Sequence, residues 1–531
     1  MTMQPKPGLS LDQFHEWYNN EHGPTRVRIP QIFSNGLRFR ATDAIEPTFL
    51  AVYDVTSMSH LETPTYLTLR ANRSSREAET IGEVDVNRYF YDLQSTRESP
   101  DWVPIEQLTD EEAEGIVLVA VEMTLTAVEG AEQGYISWLE EEHIPMLSKV
   151  PGWLRARRFR TSSLDKDAPL KYLVLYEYAK ANGLGGPEYK AATSTPWREQ
   201  VFAKFVADKG RRTYNPFYVF GPAPRDLSSL SRLPSSAAFT SADGLTSTTP
   251  GSWPVISSYI TTADGLSIPY RLEGNSSPNA PTLAFCNSLL TSLHMWDPLV
   301  DILKSARPEF RILRYDTRGR HAIPSPPVAA NLDMLSDDLA TLLSALRIQK
   351  LHALIGVSMG GATTLKFALK YPGKLGRFVA CDFNAASSEA NTRAWKERIT
   401  VAETPVDGTP GIQKLAKQTV ERWFHPGTVT SKQDVTSWMT EMVGANDIEG
   451  FRYSCQALWD YNMREAIRGC KVPGLLAVGE GDGKGALVKA MDGFKGNVGA
   501  NGVELKIVPE AGHLPMCENP PAFWDAIKSF L

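Results

Sequence analysis

The clearest pattern along the chain is a change in how apolar positions are spaced. From about Val255 onward, short uninterrupted apolar runs alternate with segments of helical periodicity. The runs 281–286, 310–315, 351–357, 378–381, 474–478 and 505–508 have strand length and little polar alternation. That pattern predicts a largely parallel sheet covered by helices on both faces. The stretch 386–468 interrupts the rhythm with an aromatic-rich helical insertion. Upstream, helical segments at 11–21 and 135–142 are each followed by β-rich runs and then by a second helix, near 61–70 and 195–207. Between 221 and 254 the chain turns to Pro, Ser, Thr, Ala and Gly with few bulky apolar residues, which predicts a linker or surface wrap.

The upstream half repeats itself. Trp17, Glu21, His22, Pro24 and Pro30 recur as Trp138, Glu142, His143, Pro145 and Pro151. Arg38-Phe39-Arg40 recurs as Arg158-Phe159-Arg160, and the tract 49–53 as 172–176. With the apolar run 115–123 before the second copy, each repeat predicts a β-α-β-β-α-β ferredoxin-like unit, spanning 1–112 and 113–220. These repeats resemble the EthD-like dimeric α/β-barrel proteins, which implies two such units with their sheets face to face, here in one chain. Only residues 1–4 are available for the opening strand of the first copy, so that edge is expected to be frayed or incomplete. His22 and His143 occupy matching places. A second active site is one reading of the pair, and a structural role at a helix C-terminus is the other.

Composition narrows the classes. A chain of 531 residues exceeds one ordinary core, and 42% apolar with 22% charged residues is ordinary for globular proteins. Net charge is -6 with no basic stripe, which argues against a nucleic-acid partner. The opening residues lack a leader pattern and no apolar stretch approaches about 18 residues, so a cytoplasmic protein with no membrane partner is expected. The five cysteines are odd in number and form no CxxC pair, so free thiols are expected rather than disulfides or a metal site. Self-association into a homo-oligomer is left open.

The chemistry concentrates downstream. Gly356-Val-Ser358-Met359-Gly360-Gly361 follows an apolar strand and precedes a good helix, the context a G-x-S-x-G nucleophile elbow requires. A serine hydroxyl needs a base and an acid that orients the base. Asp482 ends the penultimate strand and His513 ends the last, so the order Ser, Asp, His matches the α/β-hydrolase arrangement. Glu480 and Asp382 remain alternatives for the acid. Two backbone N–H donors must face the developing oxyanion, one from Met359 and one from the loop 286–290, at Leu289.

The tracts 287–298, 315–319, 356–361 and 421–424 together resemble the 3-oxoadipate enol-lactonase family, over about 259–531. The resemblance implies an α/β-hydrolase fold with a helical cap at about 386–468, acyl-enzyme opening of a lactone or ester, a small-molecule substrate and no cofactor. It departs at Gly319-Arg-His-Ala322, and Asn287-Ser288 stand where many relatives carry His-Gly. Asn287, Ser288, Trp296 and Trp423 are candidate substrate contacts, although an aromatic cap stripe can equally be cap core. Arg398 and Arg422 could hold a substrate carboxylate or belong to intra-cap ion pairs. C–C cleavage of a β-diketone and a non-hydrolytic cyclisation remain rival reactions for the same site, and the first half could be a binding or assembly module.

Overall fold

In the computed structural model, which describes residues 1–165, 168–405 and 408–531, the repeated tract folds the same way in both copies. The chain forms two units, Met1–Pro222 and Ala223–Leu531. The first copy supplies β1 (Thr2–Pro5), β2 (Leu37–Ala41), β3 (Phe49–Val52), β4 (Val84–Asn87) and β5 (Tyr91–Glu98). The second supplies β6 (Val117–Leu125), β7 (Trp153–Thr161), β8 (Tyr172–Tyr178) and β9 (Val206–Val219). All pair antiparallel in the order β4-β1-β3-β2-β9-β6-β8-β7-β5. Within each copy the order is therefore fourth, first, third, second.

The two copies share one hydrogen-bonded sheet instead of two separate sheets facing one another. β9 runs past its own copy to pair with β2, and β5 pairs with β7. The first and last strands of the order, β4 and β5, are joined by Arg88, Tyr89 and Phe90, so their ends lie within about 14 Å. The sheet must curl into a barrel. Alternation along each strand separates two faces. Phe49 and Ala51 of β3 pack on the helices while Leu50 and Val52 face the barrel interior, as do Leu173 and Leu175 of β8. The opening strand is not frayed: β1 lies between β3 and β4 and pairs with both.

The first helix of each copy changes pitch at the repeated motif. Leu11–Trp17, capped by Ser10, runs into a π-helical turn at Tyr18–His22, and Ala131–Trp138 runs into another at Leu139–His143. His22 Nδ1 lies 2.9 Å from Glu77 Oε1, and His143 Nδ1 lies 3.0 Å from the Ala192 carbonyl. Both bonds tie the first helix to a later helix of the same copy, and burial pushes both imidazoles down to about 4.

The second unit carries β10 (Ala237–Thr240), β11 (Thr246–Thr249), β12 (Val255–Thr261), β13 (Ser267–Gly274), β14 (Thr282–Cys286), β15 (Arg311–Tyr315), β16 (Leu351–Val357), β17 (Leu375–Cys381), β18 (Gly474–Gly479) and β19 (Glu504–Val508). Their order is β11-β10-β12-β13-β15-β14-β16-β17-β18-β19, parallel from β15 to β19. The expected linker 221–254 corrects to a folded edge. The hairpin β10–β11 pairs with β12, and a helical turn at Leu227–Leu230 buries both leucines. Serines and threonines suit an edge hairpin, because its backbone bonds need no bulky side chains.

Among the described residues between β17 and β18, the α-helices Glu389–Glu403, Gly411–Trp423, Pro426–Ser431, Gln433–Gly444 and Ile448–Cys455 form the insertion. Ala386 and Asn462 bridge at its base, so the insertion closes slightly before the expected residue 468. All five cysteines are free and buried. Among the described residues no helix is long and apolar enough to cross a membrane.

Candidate active site

Ser358 sits between β16 and the helix Met359–Lys370 at φ 59°, ψ -119°. This backbone conformation costs a non-glycine residue about 1–3 kcal/mol. The glycines around it are demanded by contact. A Cβ on Gly356 would lie 2.2 Å from the Gly360 carbonyl oxygen, and one on Gly360 would lie 2.1 Å from that of Cys286. The Ser358 N–H donates to the Cys381 carbonyl at 2.9 Å, which holds the elbow against β17.

His513, in the loop after β19, places Nδ1 2.7 Å from Asp482 Oδ2. Asp382 does not take this position. It ends β17, is 1% exposed, and accepts the Gly479 N–H at 2.9 Å. Burial first, then the neighbouring Asp482 carboxylate, push the Asp382 carboxyl well above the usual carboxylate range. Glu480 instead accepts the Glu510 N–H at 3.3 Å, away from the imidazole. Asp382, Asp482 and His513 each offer a ligand atom, all within 4.8 Å, and they are the group among the described residues that could hold a cation. His513 and Asp482 already spend two of those atoms on each other.

Met359 opens its helix, so its N–H belongs to the first turn, which has no intrahelical acceptor. The facing loop 287–290 is held by two side chains from other elements. Leu289 is 3% exposed and Leu290 has φ 69°. The Leu290 carbonyl accepts from Arg320 at 3.2 Å and from Asn446 at 2.8 Å. Arg320 also reaches the Met442 carbonyl at 3.1 Å, so this one residue of the Gly319–Ala322 tract joins the loop to the cap.

Two candidate substrate contacts correct to scaffold. Asn287 and Trp296 are fully buried, and the Trp296 indole N–H donates to Asn287 Oδ1 at 2.9 Å. Asn287 Nδ2 donates to the Tyr315 carbonyl at 2.9 Å. Their side-chain polar groups are spent on one another and on the end of β15. Ser288 differs: its buried hydroxyl has no hydrogen-bond partner.

In the cap, Trp395, Trp423, Phe424, Met439 and Met442 are buried, as cap core requires. Trp423 is also a neighbour of the imidazole, with ring centroids 5.4 Å apart, and its carbonyl accepts the His513 N–H at 2.7 Å. Arg398 stacks on Trp395, 4.4 Å from the ring centroid. Among the described residues neither Arg398 nor Arg422 has an ion pair or a hydrogen bond. Enclosure by protein and the adjacent Arg398 push the Arg422 guanidinium down to about 10, with Asp482 acting oppositely. The residue is still solvent-exposed.

Glu518 escaped the sequence reading. It is 1% exposed and accepts N–H groups of His425 at 2.6 Å and Gly512 at 2.8 Å, joining the cap to the histidine loop. Its signal was weak, since a Pro-Met-Cys-Glu turn is ordinary without its partners. Burial pushes its carboxyl up from 4.5 to about 7 although those N–H groups pull the other way. The unfolded chain releases this proton first, so stability falls as pH rises from about 4.5 to about 7 and then levels, a loss of about 3 kcal/mol at most. Glu518→Gln should remove that slope. Thermal melts at about pH 4.5 and about pH 8 should show wild type losing ground to the variant; parallel losses would acquit Glu518.

Residues 281–400 match the family profile described as the alpha/beta hydrolase fold. The chain is 26% identical over 272 residues to 3-oxoadipate enol-lactonase 2 of Acinetobacter baylyi, covering 51% of this chain and 95% of that one. It is 27% identical over 274 residues to enol-lactonase 1 of the same organism, covering 51% and 96%. Among solved structures, the enol-lactonase from Burkholderia xenovorans LB400 aligns at 27% identity and TM-score 0.45, covering 51% of this chain and 99% of that one. The second half is therefore an enzyme domain of the α/β-hydrolase class. Within that class it is related to the 3-oxoadipate enol-lactonases.

Proposed function

We propose that the second unit opens an activated lactone or ester that carries a carboxylate, with Ser358 as nucleophile, His513 as base and Asp482 as the acid that orients it. The 2.7 Å contact between His513 Nδ1 and Asp482, on the loops that follow β19 and β18, carries this reading. Ser358 Oγ attacks the carbonyl carbon while His513 Nε2 takes its proton. The N–H groups of Met359 and Leu289 receive the oxyanion. The ring C–O bond then breaks. From an enol-lactone the leaving oxygen departs as an enolate and collapses to a ketone, which needs little acid help. The proton that His513 carries passes to the departing enolate as it becomes the ketone, which leaves the imidazole neutral. His513 then deprotonates a water that attacks the acyl carbon, and returns that proton to Ser358 Oγ as the acyl group leaves. The glycine-free loop 287–290 supports this reading over C–C hydrolysis, for which a glycine-rich loop is expected. No step requires a metal or organic cofactor.

Arg422, which feels both Asp482 and Arg398, and Arg398 next to it supply the substrate preference, because two unpaired guanidiniums suit a bidentate carboxylate. Arg422→Met should raise KM for an acidic lactone by about 10- to 150-fold and leave a neutral one of the same size nearly unchanged. Kinetics on that matched pair test the reading, and equal losses on both would remove the anchor. A wild-type preference for β-diketones or long alkyl esters would remove the lactonase assignment. Ser288 contributes a free hydroxyl, and Trp423 a wall against the imidazole. The first unit is a duplicated ferredoxin-like module of the dimeric α/β-barrel type. The fourth-first-third-second strand order in both copies supports this. A cytoplasmic location accords with the free thiols.

A further inference from the structure

The barrel of the first unit encloses a cavity of about 410 Å³, lined by residues of both copies. That volume lies in the range of small-molecule pockets. Its walls are the interior-facing apolar side chains, among them Leu50, Val52, Phe159, Leu173 and Leu175.

Several charges reach this cavity, and most are already matched. Glu122 accepts from Lys171 at 2.6 Å and from the Tyr91 hydroxyl at 2.7 Å. Asp54 accepts from Arg157 at 2.8 Å, and Arg212 donates to Asp43 at 2.6 Å. Arg26 and Arg88 are different. Arg26 is 9% exposed and donates to the His22 carbonyl, a neutral partner. Arg88 is half-buried and, among the described residues, makes no ion pair or hydrogen bond. The ionisable groups that bear on it most are Tyr66, Arg26, Arg70 and Tyr18, with no carboxylate among them. A guanidinium withdrawn from water beside other cations is costly unless an anion joins it. The position is peculiar to the first copy: Arg88 lies where the fourth strand breaks between β4 and β5, whereas β9 runs unbroken through the second copy.

We propose that this cavity binds a flat, apolar organic acid, its carboxylate held by Arg88 and Arg26 and its ring system against Leu50, Val52, Phe159 and Leu173. The inference is independent of the chemistry assigned to Ser358. Binding is an association only, with no bond made or broken.

Calorimetric titration of the full chain with 2-naphthoate tests it, with 2-naphthamide as the neutral isostere. Naphthoate should bind, and Arg88→Met should weaken it tenfold or more, the scale of a lost charge-assisted hydrogen bond. Ala120→Phe, which fills the cavity from β6, should abolish binding. Naphthamide should bind at least tenfold more weakly than naphthoate. Arg422→Met, in the hydrolase unit, should leave naphthoate binding to the barrel intact, and Arg88→Met should hydrolyse a neutral aryl ester at the wild-type rate. If Ala120→Phe fails to fold by circular dichroism, Arg88→Met and the amide decide. No naphthoate binding to wild type, binding unchanged in Arg88→Met, binding lost in Arg422→Met, or equal affinity for acid and amide would each overturn the proposal.

Discussion

Ser358→Ala is expected to lower kcat by roughly five to six orders of magnitude while leaving the fold intact. The magnitude follows from the loss of the acyl-enzyme route, since the oxyanion donors and the pocket alone retain only a residual rate over water. The fold should survive because alanine keeps the Cβ that the elbow already accommodates and removes only an oxygen. Ser358→Gly provides a companion measurement. Glycine adopts φ 59° without the strain, so this variant should be equally inactive yet no less stable than Ser358→Ala. A fluorophosphonate probe should label Ser358 in the wild type and nothing in either variant. Turnover near wild type in Ser358→Ala, or a label found elsewhere by mass spectrometry, would end the nucleophile assignment.

Asp482→Asn is expected to lower kcat by about 10⁴-fold, because the amide favours the wrong imidazole tautomer and cannot stabilise the imidazolium. Asp382→Asn should cost less than about tenfold, although both carboxyls lie near His513. Asp382 is buried, its carboxyl is pushed toward the neutral form, and it accepts the Gly479 N–H, so a neutral amide keeps its shape and its acceptor. Steady-state kinetics on both variants rank the two acids. The reverse ranking would move the orienting acid to the end of β17, the alternative that chain order left open.

The candidate site was legible where a residue type and its place between a strand and a helix go together. Gly356, Ser358 and Gly360 declare a tight turn because only glycine admits the contacts such a turn makes, and His513 and Asp482 each follow an apolar run. Arg320, Asn446 and Glu518 were illegible. Each acts on a backbone group more than five residues away or in another element, and nothing in a lone Arg, Asn or Glu signals which carbonyl or N–H it will meet. Asn287 and Trp296 were misread for the same reason, since their resemblance to a binding motif does not reveal that they bond to one another.

What the sequence by itself determined was periodicity and repetition: the apolar runs of the parallel sheet, the duplicated tract about Trp17 and Trp138, and the order Ser358, Asp482, His513. These are local or collinear properties, encoded by neighbours in the chain. Tertiary structure alone decided the rest. It placed the Ser- and Thr-rich segment 237–249 as an edge hairpin, because backbone bonding to β12 replaces the apolar side chains that composition looks for. It paired β2 with β9 and β5 with β7, closing one barrel, because strand edges find partners by hydrogen-bond geometry that no single strand's pattern records. It set Asp482 and not Asp382 at 2.7 Å from His513 Nδ1, because the loop after β18 turns that carboxyl toward the histidine loop while Asp382 is tied to the Gly479 N–H, a difference of position that chain order does not record.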